Sequence, residues 1–171
     1  MIVTPEGPFP GAQWGYGGGW AWYQFLGGTT PEAESFVTGQ TALAEFVDAL
    51  PHVLPIKPGP IVMGGFSQGS STSLAFAIRN PGKVAGVFVL SGLLADHPSV
   101  AAGLAYARDL PVFWGHGTRD GMISFQTAEA GRRTLRAANV ALTTRDYSMD
   151  HTIAPAELAD VRVWMDGVLE R

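Results

Sequence analysis

The chain of 171 residues contains no cysteine. That absence excludes a disulfide framework, a thiolate metal site and a cysteine nucleophile together. Charge is also scarce: 11 basic and 15 acidic residues make up only 15% of the chain, and no run of one sign occurs. With a net charge of −4 and no basic stripe, the sequence offers nothing for a nucleic-acid backbone to track, and no nucleic-acid partner is expected. Long apolar runs are missing too. The longest, Val84 to Leu90, is interrupted by Gly86 and falls far below the roughly 20 residues that span a bilayer, so no transmembrane segment is expected. Met1 to Pro5 shows neither a basic start nor an apolar core of a secretory signal, and a cytoplasmic protein is expected.

Hydrophobic residues reach 46%, too many for a disordered chain. The length suits a single domain over residues 1–171 that fills its own core. The 22 glycines and 12 prolines fall mainly between apolar runs, where they punctuate the chain rather than form low-complexity tracts.

Several short runs are apolar throughout instead of alternating: Ile61 to Met63, Val84 to Leu90 and Pro111 to Trp114. Strands covered by helices on both faces look like this. Helical spacing lies between them. Phe36, Leu43, Phe46, Val47 and Leu50 share one face of a helix for which Thr30 is the expected N-cap and Pro31 the first residue. Further helices are predicted over Gln68 to Arg79, from about Ser124 to Asn139, and along Leu158, Val161, Trp164 or Met165, and Val168. A strand over Ala141 to Tyr147 precedes the last, and a short strand is predicted at Ile2 to Thr4. The alternation of strand and helix predicts an α/β fold, a three-layer α-β-α sandwich with a mainly parallel sheet.

Between these elements, Gly15 to Tyr23 mixes glycine with large aromatics. Aromatic rings left in a solvated loop would gain no burial, so Trp14, Trp20, Trp22 and Tyr23 are expected to wall an apolar pocket. The Gly17 to Gly19 run lacks the Lys and Ser/Thr that a phosphate-binding loop needs.

The strongest chemical signal is Gly65-Phe66-Ser67-Gln68-Gly69, which follows an apolar strand and opens a helix. On such a turn the Ser67 hydroxyl projects beyond the strand end, and Gly65 and Gly69 are expected to remove Cβ atoms that would clash there. The Gln68 N–H, at the positive end of the helix, is placed to receive an oxyanion.

A serine needs a base, and the base an orienting acid. His151 leaves the last predicted strand in an exposed loop at the same sheet edge. His52 reads as a helix C-terminal cation, His97 as a loop residue, and His116 as a neighbour of the crevice. Asp120, in the loop after Pro111 to Trp114, is the first choice of acid and Asp96 the runner-up; Asp150 is expected to point elsewhere, solvated or as a cap. Ser67, Asp120 and His151 follow the chain order of α/β-hydrolases. No two histidines share a ligand spacing with a carboxylate, so neither a metal nor another cofactor is expected.

The combination of Gly64 to Gly69, Leu90-Ser91-Gly92, His116-Gly117-Thr118-Arg119-Asp120 and His151 before the last helix resembles the phospholipase/carboxylesterase family of α/β-hydrolases, along essentially the whole chain. That family includes acyl-protein thioesterases and small bacterial carboxylesterases. The resemblance implies hydrolysis of short acyl esters or thioesters, small-molecule substrates, by a Ser67–His151–Asp120 triad with Gln68 as oxyanion donor. It also implies that Trp20, Trp22, Tyr23 and Phe66 line the substrate. A catalytically weak remnant that binds an acyl ligand or partner is the alternative reading, and an acyltransferase would use the same acyl-enzyme.

The chain departs from the family pattern in three places. The upstream strand with a His-Gly-x-Gly-like loop, source of the second oxyanion donor, is not found, which makes this an N-terminally shortened α/β-hydrolase fold. Ile2 to Thr4 is therefore expected to move inward beside Ile61 to Met63, bringing the Gly15 to Gly19 loop toward Ser67; a homodimer would be the other way to cover that edge. Gly121 stands where the family usually has proline, and Asp150 where it usually has glycine.

Overall fold

A computed structural model describes residues 1–170, which divide into two compact units, the first over residues 1–59 and the second from Pro60 onward.

The first unit holds two small antiparallel pairs and one long helix. Strand β1 (Phe9–Pro10) pairs with β2 (Trp20–Ala21), and β3 (Phe25–Gly27) with β4 (Thr30–Pro31). Helix α1 (Ala33–Val53) buries Phe36, Leu43, Val47 and Leu50 along one face, as the spacing predicts. Its start is corrected: Thr30 and Pro31 belong to β4, and Glu32 is the N-cap, its carboxylate accepting the Glu34 N–H at 3.0 Å and the Ser35 N–H at 2.7 Å. A carboxylate that satisfies two first-turn donors also sits favourably at the helix dipole's positive end, whereas the fixed φ of Pro31 suits an extended edge. The predicted strand at Ile2 to Thr4 does not form. Ile2 is 91% exposed and Val3 46% exposed, so the segment buries no apolar face that would hold it as a strand.

The second unit is a four-stranded, wholly parallel sheet in the order β5 (Val62–Phe66), β6 (Gly86–Leu90), β7 (Pro111–Gly117), β8 (Ala141–Tyr147). Strand β5 pairs with β6 alone, so the inward pairing expected for Ile2 to Thr4 is absent from the sheet. The crossovers carry α2 (Gln68–Arg79), α3 (Pro98–Gly103) and α4 (Phe125–Ala137), and α5 (Pro155–Leu169) follows β8. The short α3 is unforeseen.

Strand alternation separates the two helical layers. Phe66, Phe88, Leu90 and Phe113 meet Val161, Trp164 and Met165 of α5, with the Phe113 and Trp164 rings 6.0 Å apart. The neighbouring positions face the other way: a Cβ on Gly65 would meet the α2 backbone at Gly69 and Ser70, and one on Gly131 of α4 would meet the Trp114 ring at 2.8 Å. This is the α-β-α sandwich, shortened relative to a full α/β-hydrolase sheet.

Candidate active site

Ser67 occupies the turn between β5 and α2 with φ 52° and ψ −119°, a conformation an L-residue adopts at a cost of about 1–3 kcal/mol. The surroundings over-determine it. Its N–H donates to the Leu90 carbonyl at 2.9 Å, and its own carbonyl accepts from the Ser70 hydroxyl at 2.8 Å and the Ser71 N–H at 3.1 Å. Gly65 is required here, because a Cβ would lie 2.9 Å from the Gly69 carbonyl carbon. Gly69 is not required for the same reason: a Cβ there would meet nothing within 4 Å, which corrects the expectation of a clash on both sides.

The Ser67 hydroxyl lies 2.9 Å from His151 Nε2, and His151 Nδ1 lies 2.8 Å from Asp120 Oδ2. Asp120, rather than Asp96, is thus the carboxylate on the imidazole. Its other oxygen accepts the N–H groups of Met122 at 2.9 Å and Ile123 at 2.8 Å. Burial alone would raise the Asp120 carboxyl, but the bonds from His151, Ile123 and Met122 outweigh it and hold the group below the usual range. An ionised carboxylate only accepts, so Nδ1 is the donor to Asp120, and the tautomer this selects leaves Nε2 as the acceptor facing Ser67. The Phe66 ring packs on the imidazole with centroids 4.7 Å apart.

His116 does not border a crevice; it is wholly buried, with Nε2 donating to the Ile123 carbonyl at 2.8 Å and lying 3.5 Å from Asp120 Oδ2. Burial lowers its basicity, and a neutral ring so placed braces the loop that carries Asp120. His97 caps α3 and accepts the Ser99 N–H through Nδ1, and His52 lies in the last turn of α1. Gln68 is the first residue of α2.

The aromatic residues expected to line a substrate lie in the first unit, Phe66 excepted. Trp20 is 55% exposed on β2, Trp22 is half-buried, and Tyr23 is buried with its ring 5.0 Å from Phe25 and 5.3 Å from Phe36. Tyr23 is packed into its own unit rather than presented to solvent.

The profile of the Phospholipase/Carboxylesterase family matches residues 1–168. The chain belongs to the phospholipase/carboxylesterase family. Acyl-protein thioesterase 1 of Cryptococcus neoformans var. neoformans serotype D is 32% identical over 130 residues, covering 67% of this chain and 55% of that protein. Carboxylesterase SOBER1 of Arabidopsis thaliana is 30% identical over 111 residues, covering 64% of this chain and 49% of that protein. The chain thus spans about half the length of these relatives. Among solved structures, Arabidopsis SOBER1 superposes with a TM-score of 0.77 at 22% identity, covering 97% of this chain and 81% of that one. The Bacillus cereus carboxylesterase superposes with a TM-score of 0.79 at 19% identity, covering 95% and 73%. At those identities the superpositions speak for the α/β-hydrolase fold of this family member.

Proposed function

We propose that this chain is a serine esterase that hydrolyses short acyl esters or thioesters through an acyl-enzyme. The observation that carries the reading is the pair of hydrogen bonds, at 2.9 and 2.8 Å, that links Ser67 to His151 and His151 to Asp120. The Ser67 oxygen attacks the acyl carbonyl carbon while His151 Nε2 takes its proton. The carbonyl oxygen becomes an oxyanion, with the Gln68 N–H as donor at the start of α2. As the tetrahedral centre collapses, the imidazolium returns the proton to the departing alcohol or thiol. Water, deprotonated by the same nitrogen, then releases the acid and restores Ser67. Asp120 stays ionised throughout and stabilises the imidazolium. Phe66, whose ring lies against the imidazole with centroids 4.7 Å apart, is the aromatic residue we assign to the acyl group.

The relatives named thioesterase and carboxylesterase support this substrate class. The test is hydrolysis of a p-nitrophenyl acyl ester series, together with labelling by a fluorophosphonate. Ser67→Ala is expected to abolish labelling and lower kcat by about 10⁴-fold or more. Unchanged turnover in Ser67→Ala would remove the nucleophile and the reading with it.

A further inference from the structure

Beyond the ends of β7 and β8 the two strands do not simply part. The ladder runs to Gly117 opposite Tyr147, and two more backbone bonds extend it: Thr118 N–H to the Tyr147 carbonyl at 2.8 Å, and Arg119 N–H to the Met149 carbonyl at 3.1 Å. The Arg119 guanidinium adds a bond to the Ser148 carbonyl at 2.8 Å. There the backbone pairing ends, one residue short of Asp120 on one side and two short of His151 on the other.

A side chain takes over. Asp150 Oδ1 accepts the Gly121 N–H at 2.9 Å and the His151 N–H at 2.8 Å. One carboxylate oxygen therefore ties the residue after the acid to the residue that is the base, and both bonds are charge-assisted. Asp150 is exposed and acts as a cap, as the sequence leads one to expect, and the amides it caps belong to the two loops that carry Asp120 and His151. Those two bonds also hold the Asp150 carboxyl below the usual range, the Gly121 N–H most of all.

The bond needs both residues as they stand, because a proline at 121 would have no N–H to give and a glycine at 150 no side chain to accept it.

We infer that Asp150 is a positioning residue, which sets the spacing of Asp120 and His151 by bridging the Gly121 and His151 amides. The inference rests on the esterase reading for its catalytic consequence, although the bridge itself does not. A misplacement of about 1 Å at such a pair can cost on the order of 100-fold in rate without touching substrate binding.

The test uses the intact chain, with hydrolysis of a short p-nitrophenyl ester and amide hydrogen exchange at Gly121 and His151 measured in parallel. Asp150→Ala is expected to lower kcat by about 10- to 100-fold with KM within about twofold, and to speed exchange at both amides. Asp150→Asn keeps an acceptor oxygen and is expected to retain kcat within about threefold, its bonds being neutral and weaker.

Gly121→Ala leaves the N–H in place, and its Cβ has room, with Asp150 Oδ1 the nearest atom at 3.7 Å; it should track the wild type. Gly121→Pro drives a ring carbon into the position of the N–H, against Asp150, and should lose about as much as Asp150→Ala. The decisive variant is Asp150→Gly with Gly121→Pro, which removes the same bond from both sides and is expected to lose no more kcat than Gly121→Pro alone.

Full kcat in Asp150→Ala, or strictly additive losses in the double variant, would overturn the inference. Should the wild type neither turn over ester nor react with fluorophosphonate, the esterase reading fails. The bridge is then judged on exchange alone, and unchanged protection of the Gly121 and His151 amides in Asp150→Ala overturns it.

Discussion

Glu157 presents a carboxyl with no access to solvent, in the first turn of α5. It lies against β7, where a Cβ on Gly115 would fall on its Oε1, and neither oxygen meets a hydrogen-bond partner of good geometry among the described residues. Burial pushes the group up to about 7 from an ordinary 4.5, against a smaller opposing pull from the Ala154 N–H. The folded chain therefore keeps a proton on Glu157 between pH 4.5 and about 7 that the unfolded chain has released. Stability falls as pH rises through that window, since the folded state there binds more protons.

A displacement from 4.5 to about 7 corresponds to about 3 kcal/mol in full, most of it spent between about pH 5 and pH 8. For a chain of this length that is about 5–10 °C in Tm. Other groups superpose their own slopes. His116, a base made less basic by burial, works in the opposite direction, because the unfolded ring binds a proton that the folded ring refuses as pH drops. The difference between wild type and Glu157→Gln removes such contributions.

The assay is urea unfolding of both proteins at several pH values from 5 to 8. Glu157→Gln is expected to gain on the wild type by about 2–3 kcal/mol between the two ends of that range, while the curve of the variant loses this component. Parallel curves for the two proteins would show that Glu157 is solvated or partnered in solution, and would refute the argument.

Two further outcomes follow from the triad geometry. Asp120→Asn puts an amide N–H against His151 Nδ1 and so favours the tautomer with Nε2 protonated; kcat is expected to fall by about 10⁴-fold, with Asp96→Asn near wild type, and the reverse pattern in ester hydrolysis would move the acid to Asp96. Because His151 Nε2 lies 2.9 Å from the Ser67 hydroxyl as its base, His151→Ala is expected to lower kcat about as far as Ser67→Ala, and wild-type ester turnover in His151→Ala would exclude a histidine base.

Much of this was legible before any coordinates. Runs such as Val84 to Leu90 and Pro111 to Trp114 are apolar because both faces of β6 and β7 are covered, and the period of the sequence carries that information directly. Gly65-Phe66-Ser67-Gln68-Gly69 announced a strand-to-helix turn because sterics leave few alternatives between an apolar strand and a helix. The failures have a common cause, which is long-range competition for donors and acceptors. Thr30 has the chemistry of an N-cap, yet Glu32 reaches the free amides of α1 and β3 claims Thr30. Ile2 to Thr4 has strand propensity, but propensity does not supply a partner. Asp150 is exposed and accepts backbone N–H groups, as a solvated or capping residue should, but its Gly121 partner lies 29 residues away and could not be read from the sequence.

Ser67, Asp120 and His151 all sit on turns, which are ordinarily the least constrained part of an α/β fold. Here the constraint comes from the sheet, through bonds that continue just past the C-terminal strand ends. Ser67 N–H, one residue beyond β5, binds the Leu90 carbonyl at the end of β6 at 2.9 Å; Ser91 N–H, one beyond β6, binds the Gly115 carbonyl of β7 at 3.0 Å; Thr118 N–H, one beyond β7, binds the Tyr147 carbonyl ending β8 at 2.8 Å. Each bond hands the register of one strand to the start of the next turn. The distance between Ser67 and His151 is therefore set across three strand pairs by backbone groups rather than by the two side chains that use it. A slip at any of those pairs would shift one turn along the strand direction by about 3.3 Å per residue, more than the whole length of the Ser67–His151 hydrogen bond.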